Sequence, residues 1–82
     1  MLDRRHTGRR DLFRIGELHL PGTSYPLGCL VLDASETGAL IEVGFSDVIP
    51  DQFRLTVTAD ALDRRCEVVR RKKRTLGVTF LA

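Results

Sequence analysis

Apolar residues along this chain recur mostly at every second position, the period of a strand with one face buried. Phe53, Leu55 and Val57 alternate with Arg54, Thr56 and Thr58. Ala39, Ile41 and Val43 do the same after Gly38, with Glu42 on the opposite face. Residues 28–33 form a short aliphatic run, and residues 13–20 predict an earlier strand that stops at the turn dipeptide Pro21-Gly22. Residues 66–70 and 76–80 read as the arms of a hairpin, joined by a charged turn around residues 71–75. Breaks fall at residues 21–26, 33–38, 45–51 and 60–64. Ala59, Ala61 and Leu62 are enough for one helical turn only, and no stretch of about 10–12 residues holds a 3.6-residue period. Six short strands separated by turns predict an all-β fold, a small six-stranded antiparallel β-barrel, because closure removes exposed sheet edges.

Length and composition narrow the choice of function. With 82 residues the chain makes one small domain, and 43% hydrophobic with 29% charged residues is the balance of an ordinary water-soluble one. The longest apolar run, Cys29-Leu30-Val31-Leu32, is far shorter than the roughly 20 residues of a membrane helix. The charged start, Met1-Leu2-Asp3-Arg4-Arg5-His6, gives no secretory signal. Cys29 and Cys66 are far apart, with no Cys-x-x-Cys pair and no histidine at ligand spacing. A disulfide framework and a zinc site are therefore not expected, and a reducing cytoplasm is the expected location.

Charge matters here by position. The net charge of +2 conceals a basic segment (residues 1–14, net +3), an acidic middle (residues 33–63, seven acids against Arg54) and a second basic segment (residues 64–74, net +6). Two basic segments flanking an acidic one can hold an anion without making the whole chain a general polyanion binder.

Candidate chemistry gathers in two clusters. Arg4, Arg5, Arg9 and Arg10 put four guanidiniums within seven residues, with Gly8 among them. Each guanidinium is a planar fork of donors that grips phosphate, pairs with guanine O6 and N7, or stacks on a base. A solvated basic tail would need the same residues. The second cluster is Asp33-Ala34-Ser35-Glu36-Thr37-Gly38, between two predicted strands. Asp33 and Ser35 can cap the turn through its backbone, and Gly38 can take a positive φ. An ionised Asp33 can also accept from the ring N–H and exocyclic amine of guanine, with Ser35 bonding to phosphate or base edge.

In order and spacing the clusters fit an Arg-x-x-x-Arg motif (Arg5 to Arg9) followed by an Asp-x-Ser-x-x-Gly motif (Asp33 to Gly38). The chain thereby resembles the PilZ domain family, the bacterial receptors for cyclic di-GMP. Residues 32–40 resemble that family's strand–turn–strand, and residues 66–80 its closing hairpin. The resemblance implies a barrel that holds cyclic di-GMP on its outer surface. Arg5 and Arg9 would contact phosphate and guanine, with Arg4 as a further basic contact. Asp33 and Ser35 would face guanine, and Gly38 would permit close approach. It also implies a single domain over residues 1–82, with a basic ligand-binding arm (1–11) and a barrel (12–82). The C-terminal helix common in the family is expected to be missing, since the sequence stops at Ala82. The function so implied is a non-enzymatic sensor or adaptor that relays second-messenger level to an unidentified output protein in motility, exopolysaccharide or biofilm control.

Two alternatives stand beside this reading. One is a PilZ-like adaptor that works through protein contacts without nucleotide. The other is a basic barrel that binds single-stranded nucleic acid, suggested by Arg70-Arg71-Lys72-Lys73-Arg74. Such barrels interleave aromatics with their basic groove, whereas Phe13, Phe53 and Phe80 fall in strand patterns and leave only Tyr25 and Phe45 for stacking. The same five cations also suit a solvated hairpin tip. His6 and His19 are too isolated for a metal site or a catalytic triad, and Cys29 and Cys66 read as small core residues.

Overall fold

A computed structural model of the chain describes residues 14–44 and 48–81. They form six strands: β1 (Arg14–His19), β2 (Leu27–Ala34), β3 (Gly38–Glu42), β4 (Gln52–Val57), β5 (Leu62–Lys72) and β6 (Thr75–Phe80). All pairings are antiparallel, and the order β1-β2-β3-β6-β5-β4 closes into a barrel through β4 on β1. This is the expected all-β architecture. Among the described residues the one helical element is a 3₁₀ turn, Thr58–Asp60.

The two-residue alternation decides what enters the barrel. Phe53, Leu55 and Val57 point inward from β4, and Ile41, with Val43 just beyond it, from β3. Leu18, Cys29, Val31, Cys66, Leu76 and Val78 complete the interior from the remaining strands, and Ile49 enters from the β3–β4 connection. Leu18, Ile41, Leu55 and Cys66 are fully buried. Both cysteines are free, and burial pushes their thiols up to about 11, so they pack as small apolar groups.

One end of the barrel carries the start of β1, the β2–β3 turn, the end of β6 and the 3₁₀ turn. The opposite end carries the β1–β2 loop, the β3–β4 connection and the β5–β6 turn. In the β1–β2 loop Thr23 N–H donates to the Leu20 carbonyl at 3.3 Å across Pro21-Gly22, where Gly22 has φ 81°. Pro then Gly with positive φ is the pattern of a type II turn, as the dipeptide predicts.

Two predicted boundaries are displaced. The break expected at residues 60–64 ends at Ala61, and β5 begins at Leu62. Arg64 is tolerated opposite the buried Leu55 because it lies at the barrel end, its guanidinium 4.8 Å from the centre of the Phe80 ring. The charged turn expected at 71–75 shrinks to Lys73-Arg74, because β5 runs on to Lys72 and β6 starts at Thr75. Thr75 Oγ1 closes that turn by donating to the Lys72 carbonyl at 2.7 Å.

Candidate functional site: the β2–β3 turn and its outer face

Strict alternation on β2 would carry the inward series Cys29, Val31 on to Asp33 and bury a carboxylate in an apolar barrel. The structure avoids this with a β-bulge. Val31 pairs with Ile41, but Asp33 pairs with Leu40, leaving Leu32 as an extra residue. A one-residue slip exchanges the two faces of a strand. Asp33 therefore lies outward beside the partly exposed Leu40, while Ala34 faces Ala39, which packs on the core.

Beyond the bulge the chain folds into a tight turn built largely from its own polar groups. Asp33 Oδ1 accepts from the Ala34 N–H at 2.9 Å. Ser35 N–H donates to the Gly38 carbonyl at 2.8 Å, and Ser35 Oγ accepts from the Thr37 N–H at 3.2 Å. The Ser35 and Thr37 hydroxyls are 3.2 Å apart. The Thr37 carbonyl takes the Phe80 N–H at 2.8 Å and the Thr79 hydroxyl at 3.3 Å. The turn is thus fastened both to itself and to β6, so Asp33 and Ser35 are presented from a fixed frame.

Gly38 serves this frame for a reason other than the expected one. Gly22 is the only described glycine with positive φ, so Gly38 is not needed for backbone conformation. Gly38 pairs with Thr79 on β6, and a Cβ there would drive into the Val78 carbonyl oxygen. The glycine permits close approach of the protein's own backbone.

Asp33, Ser35, Thr37, Gly38, Leu40 and Thr79 line an open cleft of about 330 Å³. The next outward row crosses four strands: Asp33 beside Leu40, Leu40 beside Gly77, Gly77 beside Arg70. Gly77, without a side chain, lies between Leu40 and Arg70 in that row, and a Cβ there would meet the Arg70 Cβ at 3.4 Å. A second bulge, at Val69 on β5, sets the pairing of Arg70 with Gly77. Arg70 was not a predicted site residue; only register, which the sequence does not display, aligns it with Asp33.

The first described residue, Arg14, pairs with Val31, two positions from Asp33. The chain thus enters the barrel at the end that bears the Asp33–Gly38 turn. The PilZ domain family model matches residues 3–82. The chain belongs to the PilZ domain family. No curated protein and no solved structure matches it. PilZ domains are binding and adaptor modules rather than enzymes, and cyclic di-GMP is the ligand the family implies.

Of the predicted PilZ site residues, Asp33, Ser35 and Gly38 come together on one cleft. Arg4, Arg5 and Arg9, and the arm boundary at residue 11, lie outside the described residues, as do Phe13 and Phe45. His19 lies on the outward face of β1, beside Arg54 of β4, its Nε2 2.9 Å from Thr56 Oγ1. Among the described residues no group of three or more His, Cys, Asp or Glu is placed to hold a metal ion. No helix among them is long and apolar enough to cross a membrane.

Proposed function

We propose that this PilZ domain is a cyclic di-GMP receptor that relays the level of the messenger to a separate output protein in the cytoplasm. The observation that carries the reading is the bulge at Leu32, which turns Asp33 out of the barrel and onto a cleft with Ser35. An ionised carboxylate accepts several hydrogen bonds at once, which suits the adjacent ring N–H and amine donors of guanine. Leu40 lines the same cleft, and Arg70 lies two strands further along the same outward row.

A cleft of about 330 Å³ is at the small end of ligand pockets, which run to about 1,000 Å³. It suits one base of a dinucleotide, and the phosphates then need donors from elsewhere. Arg9 is five residues before Arg14 in sequence, a reach of up to about 18 Å of extended chain. From there Arg5 and Arg9, with Arg4, can close on the phosphates. Contacts from residues 3–10 to the ligand would create a new surface for the output protein to read.

The test is calorimetric titration of cyclic di-GMP into the wild type, Asp33→Ala, Arg9→Ala and Arg70→Ala, with cyclic di-AMP and GTP as controls. Guanine-selective binding that weakens at least tenfold in Asp33→Ala and Arg9→Ala, in variants that remain folded, is expected. Absence of binding by the folded wild type would leave the nucleotide-independent adaptor. The nucleic-acid reading is not favoured: Phe53 is buried and Phe80 lies under Arg64, so neither is available for base stacking.

A further inference from the structure

The barrel end opposite the ligand cleft has a composition that cyclic di-GMP binding does not account for. Arg70-Arg71-Lys72-Lys73-Arg74 spans the end of β5 and its turn. Two of these cations are committed internally. Arg71 donates to Asp51 Oδ1 at 2.8 Å and to the Ile49 carbonyl at 2.9 Å, and Arg74 reaches Glu42 Oε2 at 3.3 Å. They brace the turn against the β3–β4 connection and β3. Lys72 and Lys73 make no ion pair among the described residues and are exposed.

The turn also accepts a conformational cost. Lys73 has φ 54°, one of only two described non-glycine residues in the left-handed region. The first position of a two-residue hairpin with positive φ strongly favours Gly, Asn or Asp. A lysine there gives up turn stability and gains a projecting charge. Persistent backbone strain of this kind points from an observed outlier toward a role for the residue.

Exposed apolar groups occupy the same end. Val48, beside the Ile49 that Arg71 holds, is 88% exposed, and Tyr25 in the β1–β2 loop is 71% exposed. An aliphatic side chain, a tyrosine and a braced cationic turn share one end of the barrel. Three depressions, one of them the Asp33 cleft, are lined by strand residues together with adjoining turn residues, and none of the three includes Lys72, Lys73, Val48 or Tyr25. Exposed lysines that make no ion pair among the described residues and lie outside these three depressions suit a broad anionic surface rather than a shaped ligand. Val48 and Tyr25 suit the boundary between headgroups and acyl chains, where aliphatic and amphipathic aromatic side chains gain by partial burial. Single-stranded nucleic acid would call for several stacking aromatics, and this end of the described barrel offers Tyr25 alone.

The geometry points to this end as a peripheral docking surface for an anionic phospholipid bilayer. Lys72 and Lys73 supply long-range attraction, and Val48 and Tyr25 shallow apolar contact. The cyclic di-GMP cleft, at the other end, then faces away from the membrane and stays open to its ligand and partner.

Vesicle co-sedimentation tests this with the full chain. The vesicles are phosphatidylcholine alone, or phosphatidylcholine with about one-third phosphatidylserine. Binding is expected only to the anionic vesicles and is lost at high salt, where surface charges are screened. At about fivefold per cation, Lys72→Gln/Lys73→Gln weakens it about 25-fold. Val48→Ser weakens it several-fold without changing its salt dependence. Lys73→Gly weakens binding about fivefold while raising the thermal midpoint. Circular dichroism and cyclic di-GMP titration of the lysine variants are expected to match the wild type. Equal binding to the two vesicle types, or lysine variants that bind as the wild type does, would overturn the proposal. So would a short oligonucleotide that binds more tightly than anionic vesicles with the same lysine dependence and no response to Val48→Ser.

Discussion

The β2–β3 and β5–β6 hairpins use the same device for opposite ends. Each has a one-residue bulge in its first strand, at Leu32 and at Val69, and β3 pairs with β6 to join them. In the first hairpin the bulge delivers Asp33 to a turn whose Ala34, Ser35 and Thr37 N–H groups are bonded within the turn and whose Thr37 carbonyl is bonded by β6. In the second it shifts Arg70 onto the outward row and leads into a two-residue turn that spends conformational stability on charge. A hydrogen-bonded frame fixes direction, as recognition of one base requires. A braced but strained cationic turn fixes only where charge is displayed. The difference teaches that polar residues at two turns of one barrel can serve different physics, shape-reading at one end and field at the other.

The comparison breaks most easily at Gly38. Gly38→Ala puts a methyl into the Val78 carbonyl at the β3–β6 junction and should cost about 3 kcal/mol, read as a lowered urea midpoint, with loss of cyclic di-GMP binding as a consequence. An unchanged midpoint would mean that β6 can withdraw from β3 at little cost.

Asp33→Ala sharpens the contrast, since it removes an exposed group without touching the core. It should lower cyclic di-GMP affinity at least tenfold, about 1.4 kcal/mol or more, and shift the unfolding midpoint little. Lys72→Gln/Lys73→Gln should leave that affinity where it was, and equal losses in both titrations would erase the distinction between the hairpins. Lys73→Gly should stabilise the fold by about 1 kcal/mol, seen as a rise of a few degrees in Tm, because the left-handed backbone then costs nothing. The smallest effect concerns the core that both hairpins share. With thiols raised to about 11, roughly one in a thousand of Cys29 and Cys66 is thiolate at pH 8. Native protein should react with a thiol reagent far more slowly than protein in denaturant, and rapid native labelling would show the barrel opening.

Much of the barrel was legible because its strands obey a two-residue period on a one-sided core. Phe53, Leu55, Val57, Ile41 and Val43 are buried as the alternation predicts. The bulges were not legible: continuing the same alternation through β2 puts Asp33 inside, and only pairing with β3 shows that Leu32 is spare. Asp33 and Ser35 could be nominated from motif chemistry, whereas Arg70 depends on register across β6. The constraint at Gly38 is not a positive φ but close packing against Val78, forty positions later in the chain, which the sequence does not display. The start of β5 was missed because residues 60–64, with the charged Asp63 and Arg64, read as a break; Arg64 is accommodated by stacking on Phe80, a long-range contact.

Closure has a consequence in time. The barrel is completed by two pairings between distant segments, Glu17 with Thr56 and Gly38 with Thr79. Non-local pairings of this sort make all-β domains slow folders, typically on the millisecond to second scale. The cleft beside Asp33 and Ser35 takes its walls from β2, β3 and β6, so it is complete only when the last strand docks. A nascent chain that ends before Thr75 lacks the Val78 and Thr79 wall of the cleft and the β6 bonds to the Thr37 carbonyl. A ligand of that cleft binds the finished barrel alone, and by mass action holds it closed.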